Sequence, residues 1–207
     1  MINIIDYEMG NLRSVANAFE CLGIKARISA DPRDIATADK LVLPGVGAFR
    51  DCIDNLRQGD FVAPLLEHID KGKPLLGICV GMQMLFDESE EFGRHQGLGL
   101  IPGRVVRFPG DMVEQGERIK VPHMGWNTLT LRKPSPLFNG FADGSYVYFV
   151  HSYYCTAQRQ EDSAASCCYG AIEFCASLWR DNIMATQFHP EKSQDLGLQI
   201  FRNFGDL

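Results

Sequence analysis

Along the chain, short apolar runs alternate with stretches whose apolar positions recur every three to four residues. "INIID" (2–6), "KARIS" (25–29), "KLVLPG" (40–45) and "PLLGI" (74–78) read as strands. Those that are apolar at nearly every position suit burial on both faces, as in a sheet covered on each side. Between them, "NLRSVANAFECLG" (11–23) carries a helical period and Gly23 serves as its stop. A polar connection follows the second strand, and "FRDCIDNLRQGDFVAPLLEHIDKG" (49–72) is helical in period throughout. After the fourth strand the pattern turns amphipathic again. Strand and helix alternating at this spacing predict a parallel sheet with helices on both faces.

The second half changes character. From "GLIPGRVVRFPG" (99–110) to "YVYFVHSYYCTA" (146–157), short β-rich pieces are separated by Pro and Gly with no long helix between them. "ASLWRDNIMATQFHP" (176–190) reads as a hairpin running into a last strand, and "DLGLQIFRNFG" (195–205) as a closing helix. There is no internal repeat, low-complexity tract or linker. The expectation is one domain, residues 1–207, of α/β class: an open, mostly parallel sheet with an antiparallel β extension in its second half.

Composition narrows the possibilities. The net charge is −6 with Lys and Arg scattered, which argues against a nucleic-acid surface. No segment approaches the roughly 20 apolar residues of a membrane span, and "MINIIDYEMG" lacks the basic start of a signal peptide. A cytoplasmic location is expected. The seven cysteines are irregularly spaced and form no CxxC pair, so neither a zinc site nor a disulfide framework is suggested.

Only Cys79 has a context that asks for more. In "GICVG" (77–81) the cysteine stands between two glycines, at the point where a buried strand ends and a helix begins. Either a small thiol fills a tight gap, or the turn is a nucleophile elbow with Cys in place of Ser. Such an elbow strains the nucleophile's backbone, needs small neighbours and leaves the Val80 amide available to an oxyanion. A cysteine nucleophile needs a base, and there are five histidines. His68 and His95 lie in polar stretches read as surface. Of His123, His151 and His189, the last is preferred because Glu191 follows two residues later. In an extended chain i and i+2 share a side, so one imidazole nitrogen can meet the carboxylate while the other faces Cys79. A surface His–Glu pair is the alternative. "LPGVGAF" (43–49) has glycines that let backbone amides approach a ligand, or it is a simple tight turn. It lacks the Lys-Ser/Thr ending of a phosphate loop.

In the order PGVG, GxCxG with Gln83, then HPE, the chain resembles the class I (triad) glutamine amidotransferases, whose fold is an open flavodoxin-like sheet. Within them it is similar to the glutaminase subunits of imidazole glycerol phosphate synthase. That narrower likeness rests on "IIDYEMGNLRSV", "GICVGMQMLF", "GLGLIPGRV", "VPHMGWN", "YFVHSYY" and "TQFHPEKSQ". The resemblance implies a Cys79, His189, Glu191 triad that hydrolyses L-glutamine through a γ-glutamyl thioester. It implies oxyanion donors at Val80 and Val46, and a glutamine site formed by Gly47, Gln83 and the Ser152–Tyr153 backbone. It further implies a heterodimer with a (βα)8 cyclase subunit that receives the ammonia, with Asn11, Ser14 and Trp126 on the shared face. No cofactor or metal is implied.

One position departs from the family pattern. Residue 8 is Glu where the family has Gly, and a positive φ there would cost about 1 kcal/mol. Three other readings are compatible with part or, for the first, all of these motifs. They are a paralogous glutaminase serving a different synthase, such as one that amidinates a surface sugar, a non-catalytic regulatory subunit, and a cysteine hydrolase acting on esters or peptides.

Overall fold

The computed structural model describes every residue except Gln115. Strand β1 (Ile2–Ile5) is buried at all its positions. It leads into helix α1 (Leu12–Cys21), whose Val15, Ala18 and Phe19 form the buried stripe. Strand β2 (Ala26–Ser29) follows. The polar connection then contains a short helix, α2 (Pro32–Thr37), that the periodicity does not reveal because only Ile35 is buried. Its local signal is the start: Asp31 caps it by accepting the Arg33 amide at 2.9 Å, and Pro32 stands at the first turn.

Strand β3 (Lys40–Gly45) precedes helices α3 (Phe49–Gln58) and α4 (Val62–Asp70). The single helical run expected over 49–72 is therefore broken. Gly59 and Asp60, the latter at φ 59°, make the turn. His68, expected at the surface, is fully buried on α4, with Nε2 3.1 Å from the Pro74 carbonyl. Strand β4 (Leu75–Cys79) ends in α5 (Val80–Gln83), a single helical turn.

Strands β5 (Phe86–Ser89), β6 (His95–Gln96) and β7 (Ile101–Arg107) open the second half. A small hairpin, β8 (Val113–Glu114) with β9 (Glu117–Arg118), follows. Next come β10 (His123–Thr128), β11 (Thr130–Leu131), β12 (Tyr146–His151) and β13 (Tyr153–Ala157). Then β14 (Ser163–Tyr169) and β15 (Ile172–Arg180) precede β16 (Ile183–Thr186), and helix α6 (Gln194–Gly205) closes the chain.

Among the described residues the main sheet has 12 strands, ordered β2-β1-β3-β4-β16-β15-β13-β7-β5-β6, with β14 and β11 branching from β15. The first five of that order are parallel, in the 2-1-3-4-5 arrangement of doubly wound sheets. The extension, joined through the β15–β16 hairpin, is antiparallel except where β5 runs parallel to β7. A separate ribbon, β10 with β12, lies off this sheet. Helices α1 and α6 pack side by side, where Phe19 and Phe201 meet edge to face at 4.8 Å. No described helix is long and apolar enough to cross a membrane.

Backbone strain and buried imidazoles each make the stability of this fold testable. Glu8 sits at φ 70° with its side chain exposed, so Glu8→Gly should relieve strain and raise stability by up to about 1 kcal/mol, read from the urea midpoint. A fall would show that the Glu8 side chain makes a stabilising interaction. Burial also lowers the pKa of three imidazoles, His123 to about 4, His151 to about 3, and His68 in the same direction. Unfolding lets them bind protons they refuse in the fold, so the folded state should lose stability as pH falls from about 6.5 toward 4. Replacing His151 with Asn should flatten that slope, and an unchanged slope would contradict it.

Candidate active site

The parallel strands bring three chain segments to one end of the sheet. Register pairs Gly45 with Cys79 and Thr186 with Ile78, so the PGVG loop, the cysteine turn and the segment after β16 leave the sheet side by side. This is the carboxyl edge, where open α/β sheets place their ligands.

Cys79 adopts φ 56° and ψ −110°, outside the regions open to an unstrained L residue. What holds it there is close packing beneath the turn. A Cβ on Gly81 would overlap the Leu43 carbonyl oxygen, and one on Gly45 would lie 2.7 Å from the Gly81 nitrogen. Side chains are excluded at these positions because the backbone of α5 rests directly on the end of β3. Val80 is the first residue of a helical turn, so its amide has no intrahelical acceptor.

His189 and Glu191 follow β16. They lie in a 3₁₀ turn, Pro190–Lys192 with His189 as its cap, rather than in the extended chain expected. The turn still aims both side chains together. Nδ1 of His189 is 2.8 Å from Oε1 of Glu191, with the two side chains 3% and 1% exposed. Burial pushes the imidazole pKa down, but the Cys79 sulfur and the Glu191 carboxylate outweigh it and hold it up to about 10. The ring is thus a cation at neutral pH, fixed through Nδ1 and facing the sulfur. Ser193 closes the turn by donating its hydroxyl to the His189 carbonyl at 2.7 Å.

A cavity of about 280 Å³ opens over these groups. Val46, Gly47, Cys79, Val80, Gln83, Ser152, Tyr153 and His189 all line it. Glu191 stands behind His189 and does not. The Val46 carbonyl accepts the Cys52 thiol at 3.4 Å, and Gly47 at φ 95° supplies the bend that glycine tolerates. Gln83 spends both amide hydrogens on protein, donating at 3.1 Å to the Tyr153 carbonyl and at 3.1 Å to Oε1 of Gln187. Its own oxygen is left for a ligand. Among the described residues no His, Cys, Asp and Glu cluster could hold a metal.

Three lining or supporting residues escape the sequence reading. Glu91 lines the cavity, accepts the Phe49 amide at 2.6 Å, and is raised in pKa chiefly by burial. A carboxylate there complements the ammonium of an amino acid. It sits in the acidic run "DESEEFG", which reads as a solvated surface. Gln187 is fully buried and directs Nε2 at the Cys79 sulfur, 3.8 Å away. Its position two residues before His189 was the available signal. Lys192 lines the cavity rim and lies over the Tyr148 ring. Asn11, Ser14 and Trp126 are not in the cavity. Asn11 precedes α1 without a side-chain capping bond, Ser14 lies in its first turn, and Trp126 is 46% exposed on β10.

Of the seven cysteines, Cys79 is the one that lines the cavity. Cys52, Cys155, Cys167 and Cys175 are buried thiols with raised pKa values, chiefly from desolvation. A chloroketone analogue of glutamine should therefore label Cys79 alone, checked by peptide mass mapping. Labelling spread over Cys52 or Cys155 would mean that Cys79 has no special reactivity.

Residues 3–206 match the family model for class-I glutamine amidotransferases. The imidazole glycerol phosphate synthase subunit HisH of Syntrophotalea carbinolica is 63% identical over 207 residues, covering 100% of both chains. The protein of the same name from Geobacter sulfurreducens is 58% identical over 206 residues, covering 100% of this chain and 98% of its own. Among solved structures, PurLQS from Thermotoga maritima superposes with a TM-score of 0.74 at 18% identity, over 98% of this chain and 96% of that one. The glutaminase domain of Trypanosoma brucei CTPS, solved with bound acivicin, gives 0.65 at 15%, over 99% and 93%. At those identities the two structures speak for the fold alone. The full-length matches go further: the chain belongs to the class I glutamine amidotransferases and, among them, to the imidazole glycerol phosphate synthase HisH subunits.

Proposed function

We propose that this chain, acting as one domain over residues 1–207, is the glutamine-hydrolysing subunit of an imidazole glycerol phosphate synthase. The observation that carries the reading is the buried His189, bonded through Nδ1 to Glu191 and lining the same cavity as the strained Cys79. The Cys79 sulfur attacks the side-chain amide carbon of glutamine. The new oxyanion is received by the Val80 amide and by the Val46 peptide. His189 gives its proton to the departing nitrogen, so the C–N bond breaks, ammonia leaves and a γ-glutamyl thioester remains. The neutral imidazole then takes a proton from water, which attacks the thioester and releases glutamate and the thiol. Glu191 keeps the ring oriented through Nδ1 and offsets its charge. Gln83, Gly47 and the Ser152–Tyr153 backbone hold the amino acid, with Glu91 toward its ammonium group. A cavity near 280 Å³ suits a ligand of amino-acid size.

The ammonia passes to a cyclase subunit of (βα)8 fold, forming a heterodimer. There it is joined to the ribulosyl-formimino-aminoimidazole carboxamide nucleotide, giving imidazole glycerol phosphate and aminoimidazole carboxamide ribonucleotide. Asn11, Ser14 and Trp126 lie on the contact face. Exposed Met124 and Trp126 on the β10–β12 ribbon suit such a contact. Identity of 63% with a HisH subunit over the full length weighs against a paralogue serving another synthase. The complete Cys79, His189, Glu191 set weighs against a non-catalytic role.

Mixed with the cyclase subunit, the Cys79→Ala chain should lose glutamine-dependent product formation, while formation from added ammonium salt, a partner activity, persists. A variant complex that still used glutamine at a near-normal rate would overturn the reading. The chain alone should hydrolyse glutamine slowly and the nucleotide-loaded partner should raise the rate, because the glycines of the PGVG loop let the Val46 peptide turn its amide away from the oxyanion until the partner shifts it, and one such donor is worth about 10²–10³. Equal rates with and without partner would show that the site is already complete.

A further inference from the structure

Beside the triad runs a hydrogen-bonded thread of buried polar groups that the proposed chemistry does not use. His123 on β10 and His151 on β12 stand opposite each other in the ribbon. Nδ1 of His123 lies 3.1 Å from Nε2 of His151, and Nδ1 of His151 lies 2.9 Å from the Tyr153 carbonyl. At the outer end, Nδ2 of Asn127 is 3.2 Å from Nε2 of His123 and 2.8 Å from the Cys168 carbonyl.

These contacts permit one assignment of protons. The Tyr153 carbonyl can only accept, so His151 carries its hydrogen on Nδ1 and presents Nε2 as an acceptor. His123 must then donate from Nδ1 and accept at Nε2, which the Asn127 amide supplies. All the donors along this run point inward, from the ribbon toward the cavity. The Tyr153 carbonyl at its end also takes a hydrogen from Gln83, whose second hydrogen goes to Gln187, and Gln187 donates to the Cys79 sulfur. Aromatic rings enclose the pair: His123 stacks on Tyr169 at 4.1 Å and on Phe149 at 4.7 Å, and Phe108 and Phe174 lie within 5.3 Å of His151. With both imidazole nitrogens occupied, His151 is not available as a base although it borders the cavity.

The geometry points to His123 and His151 as positioning residues for glutamine: their fixed tautomers hold the Tyr153 carbonyl, and through it Gln83, in the shape that receives the substrate. This deepens the proposed glutamine site and rests on it. The alternative, that two imidazoles merely fill the core, predicts that an aromatic ring of similar size would serve as well. Phenylalanine fills the space but leaves the Tyr153 carbonyl without one of its donors, and a buried acceptor deprived of a donor is costly. Asparagine places an N–H close to the position of imidazole Nδ1 and restores that single bond.

The test compares His151→Phe, His151→Asn and His123→Phe in the full chain. Thermal unfolding first establishes that each folds. In complex with the cyclase subunit, KM for glutamine should rise about tenfold in His151→Phe with kcat within about threefold, the scale of one lost buried hydrogen bond. His151→Asn should recover most of the loss. His123→Phe should fall between, because His151 is then released to its other tautomer. In the chain alone, labelling of Cys79 by the chloroketone analogue should slow by the same factor while alkylation by iodoacetamide, which needs no glutamine pocket, holds steady. Wild-type KM and labelling in His151→Phe would overturn the inference, as would equal impairment of the Phe and Asn variants. Failure of the glutamine reading itself would show differently, as a wild-type chain with no preference for the glutamine analogue. In that event ¹⁵N spectra of the imidazoles decide the thread: Nδ1–H on both rings supports it, and Nε2–H on His151 overturns it.

Discussion

Everything at the site depends on the backbone of α5 lying against the carboxyl end of β3. Gly81 meets the Leu43 carbonyl with no room for a Cβ, and a Cβ on Gly45 would lie 2.7 Å from the Gly81 nitrogen. That approach forces the chain to turn at Cys79 within one residue, in a conformation cysteine would otherwise avoid. The strain is maintained by the sheet around it: β4 is flanked by β3 and β16 in parallel register and is buried along its whole length. The turn lifts the sulfur to the sheet edge while keeping it 4% exposed. A nucleophile is thus set in place by backbone packing rather than by side-chain contacts.

The same register brings in the second half of the machinery. Because Thr186 pairs with Ile78, the residues after β16 emerge beside Cys79, and the 3₁₀ turn at Pro190 folds Glu191 back under His189. Desolvation alone would leave that imidazole neutral, as it does for His123 and His151 a short distance away. The difference is the company it keeps: Cys79 and Glu191 raise the pKa of His189 against its burial. Buried imidazoles in one neighbourhood therefore divide between roles, His189 cationic and ready to give a proton, the other two neutral and able to donate and accept at once. Environment, not residue type, assigns them.

Much of this was legible in the sequence, for physical reasons that also mark the limits. The parallel strands declare themselves as continuous apolar runs, and the glycines around Cys79 announce a close approach. Spacing predicts that His189 and Glu191 meet, and they do, although the extended geometry assumed for them is a 3₁₀ turn. Short elements escaped: α2 buries one side chain and has no period to detect, and α5 is a single turn. The helical run over 49–72 concealed its break because Gly59 and Asp60 interrupt the backbone without interrupting the hydrophobic pattern. His68 was misplaced for a related reason, since polar neighbours in sequence say little about which face of α4 it occupies. Glu91 and Gln187 depend on tertiary proximity. Composition does not mark a carboxylate from the loop after β5 as a neighbour of the site, and for Gln187 the spacing to His189 was the one signal.

The central claim is that the strained Cys79 carries the γ-glutamyl group during turnover. The direct measurement is rapid acid quench of the chain, assembled with nucleotide and its cyclase partner and turning over glutamine, followed by mass spectrometry of the peptide containing Cys79. This account predicts a glutamyl adduct on Cys79 that grows in and decays as glutamine is exhausted. Glutamate accumulating with no adduct on Cys79, or with the adduct on a different cysteine, would contradict it.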